Sequence, residues 1–170
     1  GFGGKVALDL TNVAEREQTI TFNGELLPSG VVADSTLLEE WSTLLLFADN
    51  DLKIDLSEVA KSADCNYIVI FDKRANALTP NELLWLGAAN TEPTRDISLH
   101  GSTLVVDARA KRPKTNGKNP SRWPNIVTAD EATIALVDKK WNDYGIGEFI
   151  PSPSKHFSAL KLSEGAEWSK

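Results

Sequence analysis

A continuously apolar run at Tyr67–Phe71 does most to constrain the fold of this 170-residue chain. Its sequence, YIVIF, lacks the alternation of a half-exposed strand and is typical of a strand covered on both faces. Asp72 ends the run. A helix start follows at Thr79, with Pro80 in the first helical position and Glu82 completing a capping box. A buried strand followed by a helix is the basic unit of α/β proteins, so we predict a sheet with helices packed on it.

The N-terminal side of the chain predicts a β-hairpin. Lys5–Leu10 has the pattern of a strand, and Gln18–Phe22 alternates polar and apolar residues as a half-buried strand does. Asn23-Gly24 comes next, a dipeptide strongly preferred in two-residue hairpin loops. Glu25–Leu27 would then be the return strand, and Pro28-Ser29-Gly30 would end it.

Further helices are predicted from capping residues and apolar spacing. Asp34-Ser35-Thr36 would open one, with apolar residues at helical spacing as far as Ala48. Thr128 and Glu131 have the spacing of a capping box for another, which Gly145 would end. The residues expected to face the core are Leu37, Leu38, Trp41, Leu44 and Leu45 in the first helix, Leu83, Leu84, Leu86 and Gly87 in the helix after Thr79, and Ile134, Val137 and Trp141 in the last.

Together these elements indicate an α/β fold: a mixed sheet with packed helices, an N-terminal β-hairpin and an extended C-terminal tail. Leu104–Val106 adds a buried strand, and Ser57 begins a short helix. We expect residues 1–150 to form a single domain, because a chain of 170 residues can bury one core. We expect residues 151–170, which begin with a segment rich in Pro and Ser, to form the tail.

Composition excludes some classes of partner. A net charge of −6 at pH 7 argues against nucleic acid, whose phosphates require a basic face. Basic residues do cluster from Arg109 to Arg122, where proline and glycine favour a solvated loop; a phosphate-contacting loop is the alternative. No apolar run is long enough to span a membrane.

The single cysteine, Cys65, cannot form an internal disulfide, and we expect a small buried thiol, compatible with a reducing cytoplasm. The chain has no methionine and begins Gly-Phe-Gly-Gly, which we interpret as a fragment or an excised domain.

Motifs that carry known catalytic chemistry are absent from the sequence. His100 and His156 lack the spacing of zinc ligands, and there is no nucleophile elbow or phosphate-binding glycine loop. Glu15-Arg16-Glu17 are consecutive and cannot all point into one pocket, so we interpret them as a solvated turn. Asp72 and Asp107 each end a buried strand, a favoured place for functional acids, but capping of the following turn is the simpler interpretation. We therefore assign no catalytic, cofactor-binding or metal-binding residue.

A series of short motifs follows between Asn66 and about Gly147. They are Ile68-Val69-Ile70-Phe71-Asp72, Asn81-Glu82-Leu83-Leu84-Trp85, Glu92-Pro93-Thr94-Arg95-Asp96, Asp107-Ala108-Arg109, Lys111-Arg112-Pro113, and Trp123-Pro124 with the helix Asp130–Tyr144. In this order they resemble the C-terminal domain of the UbiD-like family of aromatic and α,β-unsaturated acid decarboxylases. We expect Arg95-Asp96 to form a local ion pair or a turn contact.

The chain departs from the family pattern at three places. Lys73-Arg74 stand where the family has further acidic residues, and Arg109 stands where it has threonine. Ile97–Thr103 is too short for the loop that helps to roof the family's substrate pocket. These departures put a role in roofing a substrate in doubt.

The resemblance implies one part of an enzyme. The whole enzyme would use prenylated flavin mononucleotide with a divalent metal such as manganese and with potassium, and its catalytic and cofactor-binding residues belong to an upstream domain that this chain does not match. The expected partners are that flavin-binding domain or subunit and further copies of the chain, in the cytoplasm, with no nucleic acid and no membrane. A non-catalytic interaction module with the same fold is one alternative. An independent small hydrolase or isomerase using Asp72 and Asp107 is another.

Overall fold

A computed structural model describes residues 20–110, 123–161 and 167–168 of the chain, with the backbone alone at 123–124 and 167–168. The chain divides into two compact units, residues 1–111 and 112–170. The strand predicted at Lys5–Leu10, the turn predicted at Glu15-Arg16-Glu17 and the basic segment 111–122 lie outside the described residues.

The first unit contains a five-stranded mixed sheet, which confirms the predicted fold class. Its strands are β1 (Val32–Asp34), β2 (Thr43–Ala48), β3 (Tyr67–Asp72), β4 (Ile97–His100) and β5 (Thr103–Asp107). Their spatial order is β1-β2-β3-β5-β4. Strands β2, β3 and β5 are parallel, whereas β1 and β4 run antiparallel to their neighbours at the two sides. The carboxyl ends of the three parallel strands therefore meet at one end of the sheet.

The helices of this unit are α1 (Leu38–Trp41), α2 (Leu56–Val59), α3 (Pro80–Asn90) and α4 (Pro93–Asp96). The longest, α3, begins as predicted. The Thr79 N–H donates to Oε2 of Glu82 at 2.8 Å, and the Glu82 N–H donates to Oγ1 of Thr79 at 3.4 Å. The short helix predicted from Ser57 is confirmed as α2, which continues as a 3-10 turn at Ala60–Ser62.

The run at Tyr67–Phe71 is buried on one face of the sheet and only partly covered on the other, where Phe71 is buried but Tyr67 is 46% exposed. On one face, the buried side chains of the parallel strands pack with Val59, Ala63 and Cys65. On the other face, the rings of Phe47 and Phe71 stack with their centroids 6.2 Å apart. Helix α3 approaches this second face closely: a Cβ added at Gly87 would lie 3.5 Å from the Phe71 ring.

The long helix predicted from Asp34 to Ala48 is wrong beyond Trp41. Only α1 is helical; Ser42 then adopts a left-handed conformation with φ 47°, and β2 follows. Residues Leu44–Ala48 are all buried, because β2 lies inside the sheet between β1 and β3. A short apolar run has no periodicity that separates a buried strand from a buried helix, which is why the sequence misleads here.

The return strand predicted at Glu25–Leu27 is also wrong. Gly24–Leu26 forms a 3-10 turn, and the Asn23 side chain accepts from the Glu25 N–H at 3.0 Å. The Asn23 N–H donates instead to the carbonyl of Ser62 at 2.7 Å, beside an isolated bridge between Phe22 and Ala63. The asparagine side chain supplies a local acceptor that competes with hairpin pairing.

The second unit contains α5 (Glu131–Tyr144), α6 (Ser154–Phe157) and a short antiparallel pair, β6 (Trp123–Pro124) with β7 (Glu167–Trp168). Helix α5 ends at Gly145 as predicted, with φ 61°. Its N-cap is Asp130 and not Thr128: the Thr133 N–H donates to Oδ1 of Asp130 at 2.7 Å. Because α6 and a 3-10 turn at Ser158–Leu160 make this segment helical, the prediction of an extended tail is wrong at Ser154–Leu160.

Candidate functional site

The carboxyl end of the sheet brings together the acidic residues that the sequence singles out. Asp72 is the last residue of β3 and Asp107 the last of β5. Ile70 pairs with Asp107 across these neighbouring strands, so Asp72 lies two residues further along and on the same face of the sheet. Asp96, at the end of α4, precedes β4.

Asp72 is held by the arginine two residues after it. The backbone N–H and the Nε of Arg74 both donate to Oδ1 of Asp72 at 2.9 Å, and Nη2 donates to Oδ2 at 3.0 Å. These hydrogen bonds are the main cause that raises the pKa of Arg74 above its usual value. The Asp72 side chain also caps the 3-10 turn Lys73–Ala77, which confirms the capping interpretation.

Asp107 repeats the same arrangement with Arg109. The N–H and Nε of Arg109 donate to Oδ1 at 3.2 and 2.9 Å, and Nη2 donates to Oδ2 at 2.8 Å. Arg109 does more than Arg74, because its Nη1 also donates to the carbonyls of Asp49 at 2.9 Å and Leu52 at 2.8 Å. It therefore ties the loop after β2 to the end of β5. We predicted that Arg109 lies in a solvated loop, which is wrong, since only 6% of the residue is exposed.

The predicted ion pair of Arg95 and Asp96 is confirmed. Nε and Nη2 of Arg95 donate to Oδ1 and Oδ2 of Asp96 at 2.7 and 2.6 Å. Asp96 is buried and also accepts from the Glu92 N–H at 2.9 Å. Hydrogen bonding to Asp96 raises the pKa of Arg95, and the charges of Glu92 and Asp107 add to the increase. Because Asp96 is buried, removal of Arg95 would leave a carboxylate with less compensation than at an exposed surface pair.

These contacts define what the carboxyl end can do. Asp72, Asp107 and Asp96 each accept from one guanidinium through both carboxylate oxygens, so the oxygens that a general base would use are already hydrogen-bonded. Arg74 and Arg109 hold the ends of β3 and β5 by these hydrogen bonds, and Arg109 also holds the loop after β2. The motif Asp-x-Arg, present at 72–74 and at 107–109, is the signal by which the sequence could have revealed this.

The remaining candidates are separated from this end of the sheet or from one another. Nε2 of His100 lies 2.8 Å from Oγ of Ser98, within β4, whereas His156 belongs to α6 of the second unit. Cys65 is buried as predicted, and desolvation raises the pKa of its thiol. Within residues 20–110 and 125–161, no group of three or more His, Cys, Asp or Glu side chains is placed to hold a metal ion.

Helix α3 has an apolar outer face as well as an apolar inner one. Leu83 and Leu86 are buried, whereas Leu84 and Trp85 are 51% and 50% exposed. Leu84 was predicted to face the core, which is wrong. Leu84, Trp85, Ala88 and Ala89 follow the spacing of one helix face. A helix that is apolar on both sides is typical of one that lies between two packed layers.

No protein-family model matches the chain. An uncharacterized protein of Aeropyrum pernix is 28% identical over 96 residues, which cover 46% of this chain and 19% of that protein. An uncharacterized protein of Synechocystis sp. is 21% identical over 99 residues, 48% of this chain and 19% of that protein. This chain therefore spans about a fifth of the length of the curated relatives it matches. In the part of the chain that the structure describes, no helix has the length and apolarity to cross a membrane.

Proposed function

We propose that this chain is the C-terminal, oligomerisation-type domain or subunit of a UbiD-like decarboxylase that acts on an aromatic or α,β-unsaturated carboxylic acid. A separate flavin-binding domain supplies the catalytic residues, prenylated flavin, manganese and potassium. This chain contributes a scaffold and association surfaces in the cytoplasm.

The state of the carboxylates at the carboxyl end of the sheet is the observation that carries this proposal. That end is where α/β proteins place their reactive groups. Here Asp72 and Asp107 are each engaged by an arginine through both oxygens. This favours a supporting role over the independent hydrolase or isomerase that would use these two acids.

The length of the relatives and the surface of α3 support the presence of a larger partner. The matched segment is about a fifth of each relative, so most of those polypeptides lies outside it. The half-exposed Leu84 and Trp85 give α3 an apolar surface that another domain could cover. We assign this face to the flavin-binding domain. The same face also favours the second candidate, a non-catalytic interaction module with the same fold.

Native material from the source organism tests the proposal. An antibody against this chain should recover either a polypeptide much longer than 18.6 kDa or a complex with a stoichiometric second subunit. The recovered material should carry prenylated flavin, identified by mass and absorbance. The isolated chain, mixed with prenylated flavin and manganese and then desalted, should remain colourless. An 18.6 kDa native chain with no flavin-bearing partner would establish the interaction module instead.

A further inference from the structure

Strand β4 forms an open side of the five-stranded sheet. Among the described residues its outer side pairs with no strand, and its register with β5 is continuous from Ile97 to His100, without a bulge. The strand contains no proline, lysine, arginine or acidic residue, and Leu99 is 67% exposed. Proteins normally protect such an edge with charges, prolines or bulges. The opposite edge, β1, is shorter and carries Asp34.

The side chains of β4 form a self-complementary pattern. Ser98 and His100 lie on one face, where Oγ and Nε2 are 2.8 Å apart, and Ile97 and Leu99 lie on the other. If two copies pair antiparallel about a two-fold axis through Leu99, Leu99 of one copy faces Leu99 of the second copy. Ser98 of each copy then faces His100 of the second copy. The three central pairs are therefore leucine with leucine and, twice, hydroxyl with imidazole, while Ile97 faces Gly101 in the turn after the second copy's β4.

We propose that β4 pairs with β4 of a second copy of this chain, with Leu99 at the two-fold axis, so that the two sheets become one continuous sheet. An unpaired row of backbone N–H and carbonyl groups fits another strand better than it fits a helix or a loop. The pairing of each Ser98 hydroxyl with a His100 imidazole, on either side of the Leu99 pair, favours an identical strand in particular. The proposal specifies the self-association expected under the proposed function. Its test uses this chain alone, so it can fail or succeed independently of the flavin-bearing partner.

Sedimentation velocity of the full chain over a concentration series gives the first test. The parent should dimerise. Leu99→Lys should raise the dissociation constant by roughly tenfold or more, because it places two like charges opposite each other at the axis. Val32→Lys, a half-exposed position on β1 at the other edge, is the matched control and should leave dimerisation unchanged. A monomeric parent, or equal effects of the two lysines, would overturn the proposal.

Disulfide trapping gives a second test that does not depend on destabilising the protein. Directly opposed residues in an antiparallel pair have Cα atoms about 4.5–5.5 Å apart, within the range of a disulfide. Under mild oxidation Leu99→Cys should form a covalent dimer rapidly, whereas Val32→Cys should not. The native Cys65 is buried and leaves the comparison undisturbed. Equal rates of cross-linking for the two variants would rule out the proposed register.

Discussion

Arg74 and Arg109 make the same hydrogen bonds to the aspartate two residues before them, yet only one arginine is buried. The Arg74 side chain is 44% exposed and the Arg109 side chain 8% exposed. We expect Arg109→Ala to reduce the free energy of unfolding by on the order of 3 kcal/mol, because it removes the buried guanidinium that engages both oxygens of Asp107 and also donates to the carbonyls of Asp49 and Leu52. Arg74→Ala should cost less, about 1 kcal/mol, because the Arg74 side chain is half exposed and the backbone N–H at position 74 still donates to Asp72.

Urea unfolding of the two alanine variants and the parent measures this difference directly. Arg109→Lys serves as a further comparison, since it keeps the charge but cannot reproduce the branched set of hydrogen bonds. It should fall between the parent and Arg109→Ala. If the two alanine variants shift the midpoint equally at constant slope, burial of Arg109 does not contribute to stability.

The contacts of each arginine with its neighbouring aspartate can be predicted from the sequence, whereas the contacts of Arg109 with the loop after β2 cannot. The Asp-x-Arg spacing at 72–74 and 107–109 is sufficient to predict a carboxylate that accepts from the arginine backbone and side chain. Burial of Arg109 depends on the carbonyls of Asp49 and Leu52, which are 60 and 57 residues away along the chain. No spacing rule connects such positions, so the clamp, by which we mean the two hydrogen bonds from Arg109 to the loop after β2, could not be predicted.

At the scale of elements, a helix or strand is predicted correctly where the residues that specify it are close together in the sequence. Helix α3 begins at the predicted residue because its capping box lies within Thr79–Glu82 and includes a proline. Strand β2 was predicted as helix because its burial depends on β1 and β3 on either side, which the run at Leu44–Ala48 does not encode. The strand β4 was missed for a related reason: Ile97–His100 becomes a strand by pairing with β5.

The N-terminus of α5 allows a prediction with a defined dependence on pH. Hydrogen bonds from Thr133 lower the pKa of Asp130 below the usual 3.8. A carboxyl group whose pKa is lower in the folded protein adds stability above its unfolded pKa, and that stability is lost as the pH falls through the folded pKa. The parent should therefore lose stability below about pH 4 relative to Asp130→Asn, because asparagine also caps a helix but does not titrate there.

The difference between the urea midpoints of the parent and Asp130→Asn, followed from about pH 6 to pH 2, measures this effect. Thr128→Ala is the control, because Thr128 does not cap the helix, and the difference between its midpoint and that of the parent should stay constant with pH. If the parent and Asp130→Asn respond to acid in parallel, Asp130 is not the N-cap.

At the scale of the whole molecule, the chain consists of two compact units whose boundary lies at Lys111 and Arg112. Boundaries between such units are crossed by few contacts and are favoured places for proteolytic cleavage. The sequence adds that residues 109–122 are rich in basic residues, proline and glycine, from which we predict a solvated loop, although Arg109 itself is buried. The structure and the sequence thus point to the same segment from independent observations.

We therefore expect limited trypsin digestion of the native chain to cut first at the basic residues between Lys111 and Arg122. The first unit should survive as a resistant fragment, because residues Leu44–Ala48 of its inner strand β2 are buried and the loop after β2 is held by Arg109. Mass spectrometry over a time course identifies the first cut. Lys53, which lies in the clamped region after β2, provides the internal control, and its cleavage should be slow in the parent and faster in Arg109→Ala. Early cleavage at Lys53 in the parent would contradict both the unit boundary and the role of the clamp.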